Sequence, residues 1–346
     1  MVKIKWSSYF GRTSGYAEAA RQYCVALKRL GADIICDSMD NSYLSDMAWM
    51  AATSKVKDDG YFPVMHDIPG AMSRGYFTVF ELEKAPAEWE RPLRKAEVVM
   101  TPSEFARNSL GHVCDINKIH VVHHGVAENF SPSGASVKFD ASDHRPLPTF
   151  KFLSVFEWVE RKCGDRLIEA FQKEFSPDED VGLFIKTSAY RRLPLLVNKV
   201  TPNNIFIVDG FVEDMAKLYG ACDAYVCCAG GEGWGETLSE AMACGLPTIG
   251  SNHSGNLEFM NDENSFLVDV EDWQPIGYNS LMPMIAPWER QKPPKVESIQ
   301  KAMRTVFEGG DDVKRRARKG TRVSSDFTWE KAAKKIIDIV EAVQRV

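Results

Sequence analysis

Short apolar runs alternate along the chain with longer stretches in which apolar residues recur every three or four positions. The short runs predict β-strands, and the longer stretches predict amphipathic helices. The predicted strands are Val2–Ser7, Ala32–Cys36, Glu97–Thr101, Ile119–Val122, Phe150–Phe156, Gly182–Thr187, Ile205–Asp209, Ala224–Cys228 and Pro247–Gly250. The predicted helices are Tyr16–Leu30, one that begins at Ser103, Asp165–Phe175, Thr237–Cys244 and Thr328–Val346. This alternation indicates parallel, doubly wound sheets.

The alternation is interrupted at Ser131–Pro148, which is rich in Ser, Asp and Pro and is typical of a linker. A length of 346 residues also favours two domains. We therefore predict two Rossmann-like domains, residues 1–145 and 146–325, followed by a helix at 326–346. The region Asp272–Lys295 lacks periodicity and predicts a surface excursion. The apolar side of the last helix consists of Trp329, Ala332, Ile336, Ile339, Val340 and Val343.

Composition narrows the class of protein. Hydrophobic residues make up 44% and charged residues 26% of the chain, as in globular proteins. The net charge of -6 argues against a nucleic-acid partner. No apolar run approaches the roughly 20 residues of a membrane-spanning helix. A peripheral membrane contact stays open, although no basic amphipathic anchor is visible.

The N-terminus and the cysteines bear on location. Met1–Trp6 has the pattern of a first strand and not of a signal peptide. The eight cysteines include no C-x-x-C pair and no zinc spacing. We therefore expect reduced thiols in a cytoplasmic protein.

A glycine-rich stretch, Gly230–Gly235, follows a predicted strand and opens a predicted helix. Such a loop binds anions because backbone N–H groups and the helix dipole converge there. In an open sheet, ligands collect at this edge. Glu232 lies in the loop and Glu240 in the predicted first turn of the helix. Thr237-Leu-Ser-Glu240 also fits a capping box, in which Glu240 only binds the N-cap amide, and the pattern alone does not separate the two interpretations.

Further candidates lie at other loops. Arg161 and Lys162 supply positive charge, and Gly11–Gly15 forms a second glycine-containing turn between a strand and a helix, which suits a phosphate or is a plain turn. His66 follows a strand-like stretch and is either a ligand contact or a structural residue. Asp178-Glu-Asp180 matches a metal-binding D-x-D only superficially, and its context predicts a solvated turn. No metal site is therefore predicted.

The stretch from Gly230 to Pro247 resembles the signature of glycosyltransferase family 4, the retaining GT-B enzymes. In that signature two glutamates separated by seven residues precede Ala-Met-Ala-Cys-Gly-Leu-Pro. Further matches, in the family's order, are Thr101–Phe105, His120–Val126, Lys162–Phe171, Ile249–Glu258 and Phe327–Trp329. The resemblance implies a GT-B architecture, with two Rossmann-like domains facing each other across a cleft and the last helix crossing back to the N-terminal domain.

The resemblance also implies an activity. It is the metal-independent, retaining transfer of a sugar from a nucleoside-diphosphate sugar to an acceptor hydroxyl, with no cofactor besides this co-substrate. The donor would bind residues 146–325. The acceptor, a glycan, a lipid-linked molecule or a small molecule, would bind residues 1–145.

The resemblance assigns roles to the candidate residues. Glu240 would bind the ribose hydroxyls and Glu232 the donor sugar, while Lys162 and Arg161 would neutralise the leaving diphosphate. The remaining contacts would come from the amides of Gly235, Glu236 and Thr237, from the turn holding Gly11 and Gly15, and from His66 at the donor sugar or the acceptor.

One position departs from the family pattern. Glu157 stands where the family usually has an arginine, and Arg161 is the candidate to replace that charge. The departure keeps open a non-catalytic relative that assists an active transferase. A GT-B phosphorylase or epimerase is a further alternative, whereas a nicotinamide dehydrogenase is disfavoured because no G-x-G-x-x-G follows the first strand. The sequence does not specify the base, the sugar, the acceptor, the linkage or the oligomeric state.

Overall fold

A computed structural model of the protein describes residues 1–12, 14–42, 48–53, 57–58, 60–132, 147–187, 204–208, 212, 214–277 and 289–345. The chain forms two compact units. The N-terminal unit comprises Met1–Ala127 and Phe327–Val346, and the C-terminal unit comprises Glu128–Asp326. The boundary expected after residue 145, and most of the expected linker, lie outside the described residues.

The N-terminal unit is built on a six-stranded sheet in which all neighbouring strands are parallel. Its strands are β1 (Lys3–Ser8), β2 (Asp33–Ser38), β3 (Phe62–His66), β4 (Gly75–Phe77), β5 (Val98–Thr101) and β6 (Ile119–Val121). They lie in the order β2-β1-β3-β4-β5-β6. The order reverses direction between β1 and β3, which creates a crevice at their carboxyl ends.

The helices of this unit are α1 (Gly15–Arg29), α2 (Ala48–Thr53), α3 (Glu90–Lys95), α4 (Glu104–Leu110) and α10 (Trp329–Gln344), with 3-10 turns at Ala87–Trp89 and Ile116–Lys118. Ser103 caps α4 by accepting the N–H of Ala106, as its sequence predicts. Gly31 follows α1 with a φ of 84°, a left-handed conformation that glycine adopts without strain.

Helix α10 packs against α1 in the core of the N-terminal unit. Its buried residues are Trp329, Ala332, Ala333, Ile336, Ile339 and Val340. Val343 is partly buried against the same core. The apolar side predicted from the sequence is therefore the packed side.

The C-terminal unit has a second parallel six-stranded sheet. Its strands are β7 (Phe150–Val155), β8 (Val181–Lys186), β9 (Ile205–Val208), β10 (Ala224–Cys227), β11 (Thr248–Ser251) and β12 (Phe266–Val268). They lie in the order β12-β11-β10-β7-β8-β9. The reversal between β7 and β10 is the Rossmann pattern, and it locates the crevice in which ligands bind such sheets.

The helices of the C-terminal unit are α5 (Gly164–Glu174), α6 (Met215–Tyr219), α7 (Glu236–Ala243), α8 (Val296–Glu308) and α9 (Asp311–Ser324), with 3-10 turns at Glu160–Lys162 and Gly255–Glu258. The region predicted to be irregular contains a small antiparallel pair, β13 (Gln274–Pro275) and β14 (Arg290–Gln291). Residues 278–288 of that region lie outside the described residues.

The predicted doubly wound α/β class is confirmed by the two parallel sheets. The predicted strands agree with the observed ones to within one or two residues. The sequence did not identify the short strands Gly75–Phe77 and Phe266–Val268, or helices α2, α3, α6, α8 and α9. Elements as short as these strands carry too few positions for a period to be distinguished.

Candidate functional site

Two loops of the C-terminal unit meet at the reversal of its sheet. One follows β7 and ends in the 3-10 turn Glu160–Lys162, and the other follows β10 and contains Gly230–Gly235. The N–H of Gly230 donates to the carbonyl of Arg161 at 2.7 Å, so the loops are joined directly. The fold thus brings together Arg161, Lys162 and Glu232 from segments about 70 residues apart.

These three side chains form an ion-pair cluster, which we call the charge cluster, in which Arg161 and Glu232 are buried and Lys162 is partly buried. Lys162 Nζ lies 2.5 Å from Glu232 Oε1, and Arg161 Nη1 lies 3.5 Å from Glu232 Oε2. Arg161 Nη1 also donates to the carbonyl of Gly231 at 2.6 Å. With two cations and one carboxylate, the cluster carries a formal charge of one positive unit.

The ionisation of Glu232 follows from these contacts. Burial by itself raises the pKa of the carboxyl, but the neighbouring charges of Lys162 and Arg161 outweigh it and leave the pKa below its ordinary value. Glu232 is therefore an anion at neutral pH. Removing charged groups from water is costly, and such arrangements are concentrated at functional sites.

The segment after β11 forms hydrogen bonds that hold the glycine-rich loop. The N–H of Gly255 donates to the Glu232 carbonyl at 2.9 Å, and the Ser254 hydroxyl accepts the Glu232 N–H at 2.8 Å. A Cβ on Gly255 would overlap the carbonyl group of Gly233. Only glycine permits this approach, so Gly255 determines where the loop runs.

Ser254 has a φ of 76° and a ψ of -159°, a conformation that is rare for any residue with a side chain. Its hydroxyl bond to Glu232 offsets part of this strain. Non-glycine residues in such conformations persist where surrounding contacts impose them, and they cluster at functional sites. The sequence does not reveal this conformation of Ser254. Glycine indicates that a positive φ is allowed at a position, whereas serine does not.

Helix α7 starts directly after the glycine-rich loop. Its N-cap is Gly235, with a φ of 96°, and no side chain of the described residues caps it. The amides of Glu236 and Thr237 lie in its first turn, where the helix dipole favours an anion. The capping-box interpretation, in which Thr237 is the N-cap, is wrong. The N-cap is Gly235, two residues earlier, where glycine adopts the left-handed conformation.

Glu240 lies in the second turn of α7 and not in the first, as a further consequence of this earlier start. Its Oε2 accepts a hydrogen bond from the hydroxyl of Tyr219 at 2.8 Å. Glu240 is half-buried, whereas Tyr219 is fully buried at the end of α6. Sequence reasoning missed Tyr219, because a tyrosine in a short apolar segment looks like an ordinary core residue.

The remaining predicted residues belong to the N-terminal unit, at the reversal between β1 and β3. Gly11 follows β1, and a Cβ there would overlap the side chain of Ser42. Gly15 is the first residue of α1, which Ser14 caps by accepting the N–H of Ala17. The buried Arg21, also missed from the sequence, donates to the carbonyls of Phe10 (2.8 Å) and Arg12 (2.7 Å) and holds this turn.

His66 ends β3 and is almost fully buried. Its Nδ1 accepts a hydrogen bond from the indole N–H of Trp6 at 3.3 Å, and no described residue is a partner for Nε2. Aromatic rings surround it, with Phe77 at 4.7 Å and Tyr16 at 5.5 Å between centroids. Burial, and secondarily His124, hold the pKa of His66 well below its ordinary value.

This burial predicts acid sensitivity. The pKa of His66 is lowered in the folded protein, so below about pH 6.5 the unfolded chain binds a proton that the folded chain does not. The free energy of unfolding should therefore fall as the pH drops below 6.5, by up to about 1.4 kcal/mol per pH unit for this group. His66→Asn retains an acceptor for Trp6 and removes the titration.

The measurement is the urea-unfolding transition between pH 7.5 and 5.5. His120 and His253 contribute in the same direction, because burial lowers the pKa of each, that of His253 to about 4. The variant should therefore show a shallower slope, not a flat one. Equal slopes in the variant and the wild type would contradict the prediction.

Further observations concern metal binding and membrane insertion. Asp178–Asp180 forms the predicted turn, in which Asp180 accepts the N–H of Thr149 at 2.8 Å and Glu179 pairs with Arg304 at 2.6 Å. Within the described ranges, no three His, Cys, Asp or Glu side chains are grouped as metal ligands. Among the helices of those same ranges, none has the length and apolar composition needed to cross a bilayer.

Comparison of the sequence with known families gives a match to the group 1 glycosyl transferases. A sequence profile of the group 1 glycosyl transferases matches residues 138–277, which include the charge cluster and α7. A sequence search of curated proteins finds no match.

Solved structures with the same fold cover nearly all of the chain. WaaG, a glycosyltransferase involved in lipopolysaccharide biosynthesis, is 14% identical over 97% of this chain and 99% of its own, with a TM-score of 0.69. HepE of Anabaena, in complex with UDP and glucose, is 14% identical over 99% and 100%, with a TM-score of 0.69. Sucrose-phosphate synthase of Thermosynechococcus elongatus is 15% identical over 100% of both chains, with a TM-score of 0.72. The protein therefore has the GT-B fold.

Proposed function

We propose that this protein is a retaining glycosyltransferase that moves a sugar from a nucleoside-diphosphate sugar to an acceptor hydroxyl without a metal ion. The observation that carries the proposal is the charge cluster of Arg161, Lys162 and Glu232 at the reversal of the C-terminal sheet. The match of residues 138–277 to the group 1 glycosyl transferases supports it.

The leaving group of such a reaction is a nucleoside diphosphate, whose negative charge grows as the bond to the sugar breaks. Lys162 and Arg161 provide positive charge, and the first turn of α7 provides amides and the helix dipole. These groups supply the stabilisation that a metal ion supplies in other transferases. The arrangement supports a role for Arg161 in replacing the charge that Glu157 does not provide.

The carboxylates have separate tasks in this proposal. Glu232 lies beside the sugar, where it binds hydroxyls and stabilises positive charge at the anomeric carbon. Glu240 accepts hydrogen bonds from the ribose hydroxyls. The acceptor binds the N-terminal unit. In that unit, Gly11, Gly15 and His66 are the candidate residues for contacting the substrates.

The proposed transfer needs no reagent besides the donor and the acceptor. The bond between the anomeric carbon and the diphosphate oxygen breaks, and the acceptor oxygen bonds to that carbon from the same face. The acceptor proton passes to the departing diphosphate oxygen. The configuration at the anomeric carbon is thereby retained.

The first experiment is thermal denaturation with UDP, GDP and ADP, followed by donor turnover. UDP-glucose is the first donor to test, because the structure of HepE contains UDP and glucose. One nucleotide should raise the melting temperature, and its sugar conjugate should be consumed with retention, measured by NMR of the product anomer. No turnover of any donor and acceptor pair, with or without nucleotide binding, would favour the non-catalytic alternative, and the absence of binding of all three nucleotides would overturn the proposed transfer.

Glu240→Ala should weaken binding of that nucleoside diphosphate by about 10- to 100-fold, the range for hydrogen bonds to a charged group. The matched control is Glu263→Ala, which removes an exposed glutamate paired with Lys319 at 2.9 Å in the same unit. Isothermal titration calorimetry measures both. An unchanged dissociation constant for Glu240→Ala would remove Glu240 from the site.

A further inference from the structure

Tyr219 contacts the candidate nucleotide site from inside the protein. It is the last residue of α6, and its hydroxyl reaches two groups of α7, Glu240 Oε2 at 2.8 Å and the carbonyl of Thr237 at 3.3 Å. A phenol has one proton to donate, and the shorter bond to a charged acceptor is the stronger one. The hydroxyl therefore donates to Glu240.

The ring of Tyr219 is fixed by its surroundings. Its side chain is fully buried, and the rings of Tyr225 and Phe130 lie 5.5 Å and 5.8 Å from it. Burial, and secondarily Glu240, raise the pKa of the phenol well above its ordinary value, so it stays a donor throughout the physiological range. A fixed donor holds its acceptor in one place.

The bond from Tyr219 restricts the motion of Glu240. Its side chain has several rotatable bonds and is only half-buried, so holding it in one rotamer has an entropic cost. A group held in its binding conformation before the ligand arrives does not incur that cost on binding. A carboxylate has about four acceptor sites, so the bond from Tyr219 does not exhaust its capacity.

We propose that Tyr219 is a positioning residue that orients Glu240 towards the ribose hydroxyls of the nucleotide and thereby sets selectivity for a ribonucleotide. The inference rests on the proposed function, because it assigns Glu240 to the ribose. Tyr219 acts through Glu240 and does not touch the ligand. Its effect must therefore disappear when either the ribose hydroxyls or the Glu240 carboxylate is absent.

The experiment compares two probes by calorimetry: the nucleoside diphosphate among UDP, GDP and ADP that binds the wild type most tightly, and its 2′,3′-dideoxy analogue. Tyr219→Phe should weaken binding of the ribonucleotide by about tenfold and leave binding of the dideoxy analogue unchanged. The control is Tyr76→Phe, a buried tyrosine of the N-terminal unit whose hydroxyl accepts the N–H of Ser73 and donates to the carbonyl of Ala71. It should match the wild type with both probes.

A second variant tests the coupling independently. In a Glu240→Ala background, Tyr219→Phe should have no further effect on ribonucleotide binding, since no carboxylate remains to be positioned. This double variant also removes the acceptor that Tyr219→Phe leaves behind, so it tests the proposal if the single variant folds poorly.

The outcomes are distinguishable. A wild type that binds none of the three nucleotides contradicts the proposed function, and the inference falls with it. A wild type that binds, with Tyr219→Phe equally tight, overturns the inference alone. Equal weakening of both probes, or an additive loss in the double variant, would mean that Tyr219 only supports the fold.

Discussion

Replacing Lys162 with alanine should lower kcat by about 10²- to 10³-fold, the loss typical of removing one group that stabilises charge in a transition state. Lys162 Nζ lies 2.5 Å from the Glu232 carboxylate, closer than Arg161 Nη1 at 3.5 Å. Without it, the charge cluster falls from one positive unit to zero. The departing diphosphate then loses a cation at the moment its charge grows.

The same change also lowers stability, so the two effects must be separated. Glu232 is left buried with Arg161 at 3.5 Å, which should cost about 3 kcal/mol, the lower end of the range for breaking a buried pair. Turnover is therefore compared under conditions in which urea unfolding shows both the variant and the wild type to be folded.

The measurements are steady-state kinetics and urea unfolding. Lys173→Ala is the matched control, since it removes an exposed lysine paired with Glu169 at 2.6 Å in the same unit. Its kcat should equal that of the wild type. A kcat for Lys162→Ala within threefold of the wild type would exclude Lys162 from the chemistry.

Replacing Gly255 with alanine should abolish tight nucleotide binding and lower turnover by about 10²-fold, because small displacements of a reacting group have effects of that size. The added Cβ would overlap the carbonyl of Gly233 and lie 2.8 Å from that of Glu232. Backbone atoms cannot rotate away as a side chain can. The glycine-rich loop must therefore move, and Glu232 moves with it.

The expected loss of stability is about 1–3 kcal/mol, as for other overpacked sites. Gly309→Ala is the control, because its φ of 75° makes alanine strained while, among the described residues, none beyond its two chain neighbours has an atom within 4 Å of the new Cβ. Both variants should unfold more easily, and only Gly255→Ala should lose nucleotide affinity. Equal affinity in the two variants would show that the loop tolerates the displacement.

The sequence was most informative where the chemistry is local. Gly31 and Ser103 terminate and start helices through contacts within a few residues, and both predictions are confirmed. The same local reasoning left the role of Thr237 open. Its capping pattern competes with the left-handed Gly235 two residues earlier, and a pattern of residue types does not show which of the two starts the helix.

The site depended on contacts between distant segments. Arg161 and Lys162 meet Glu232 across 70 residues, and Tyr219 meets Glu240 across 21. The resemblance to a known family selected Lys162, Glu232 and Glu240 as candidates. It did not indicate that both cations pair with Glu232, or that Glu240 has a buried tyrosine partner.

By itself the sequence determined the α/β alternation, the two parallel sheets and the loops at their carboxyl ends, because hydrophobic periodicity and helix caps act over a few residues. Only the tertiary structure decided the strand order, and with it which loops lie side by side at the reversals. The tertiary structure also determined the conformation of Ser254 and the close approach of Gly255 to Gly233. These features arise from packing between segments remote in the chain, which a local pattern does not encode.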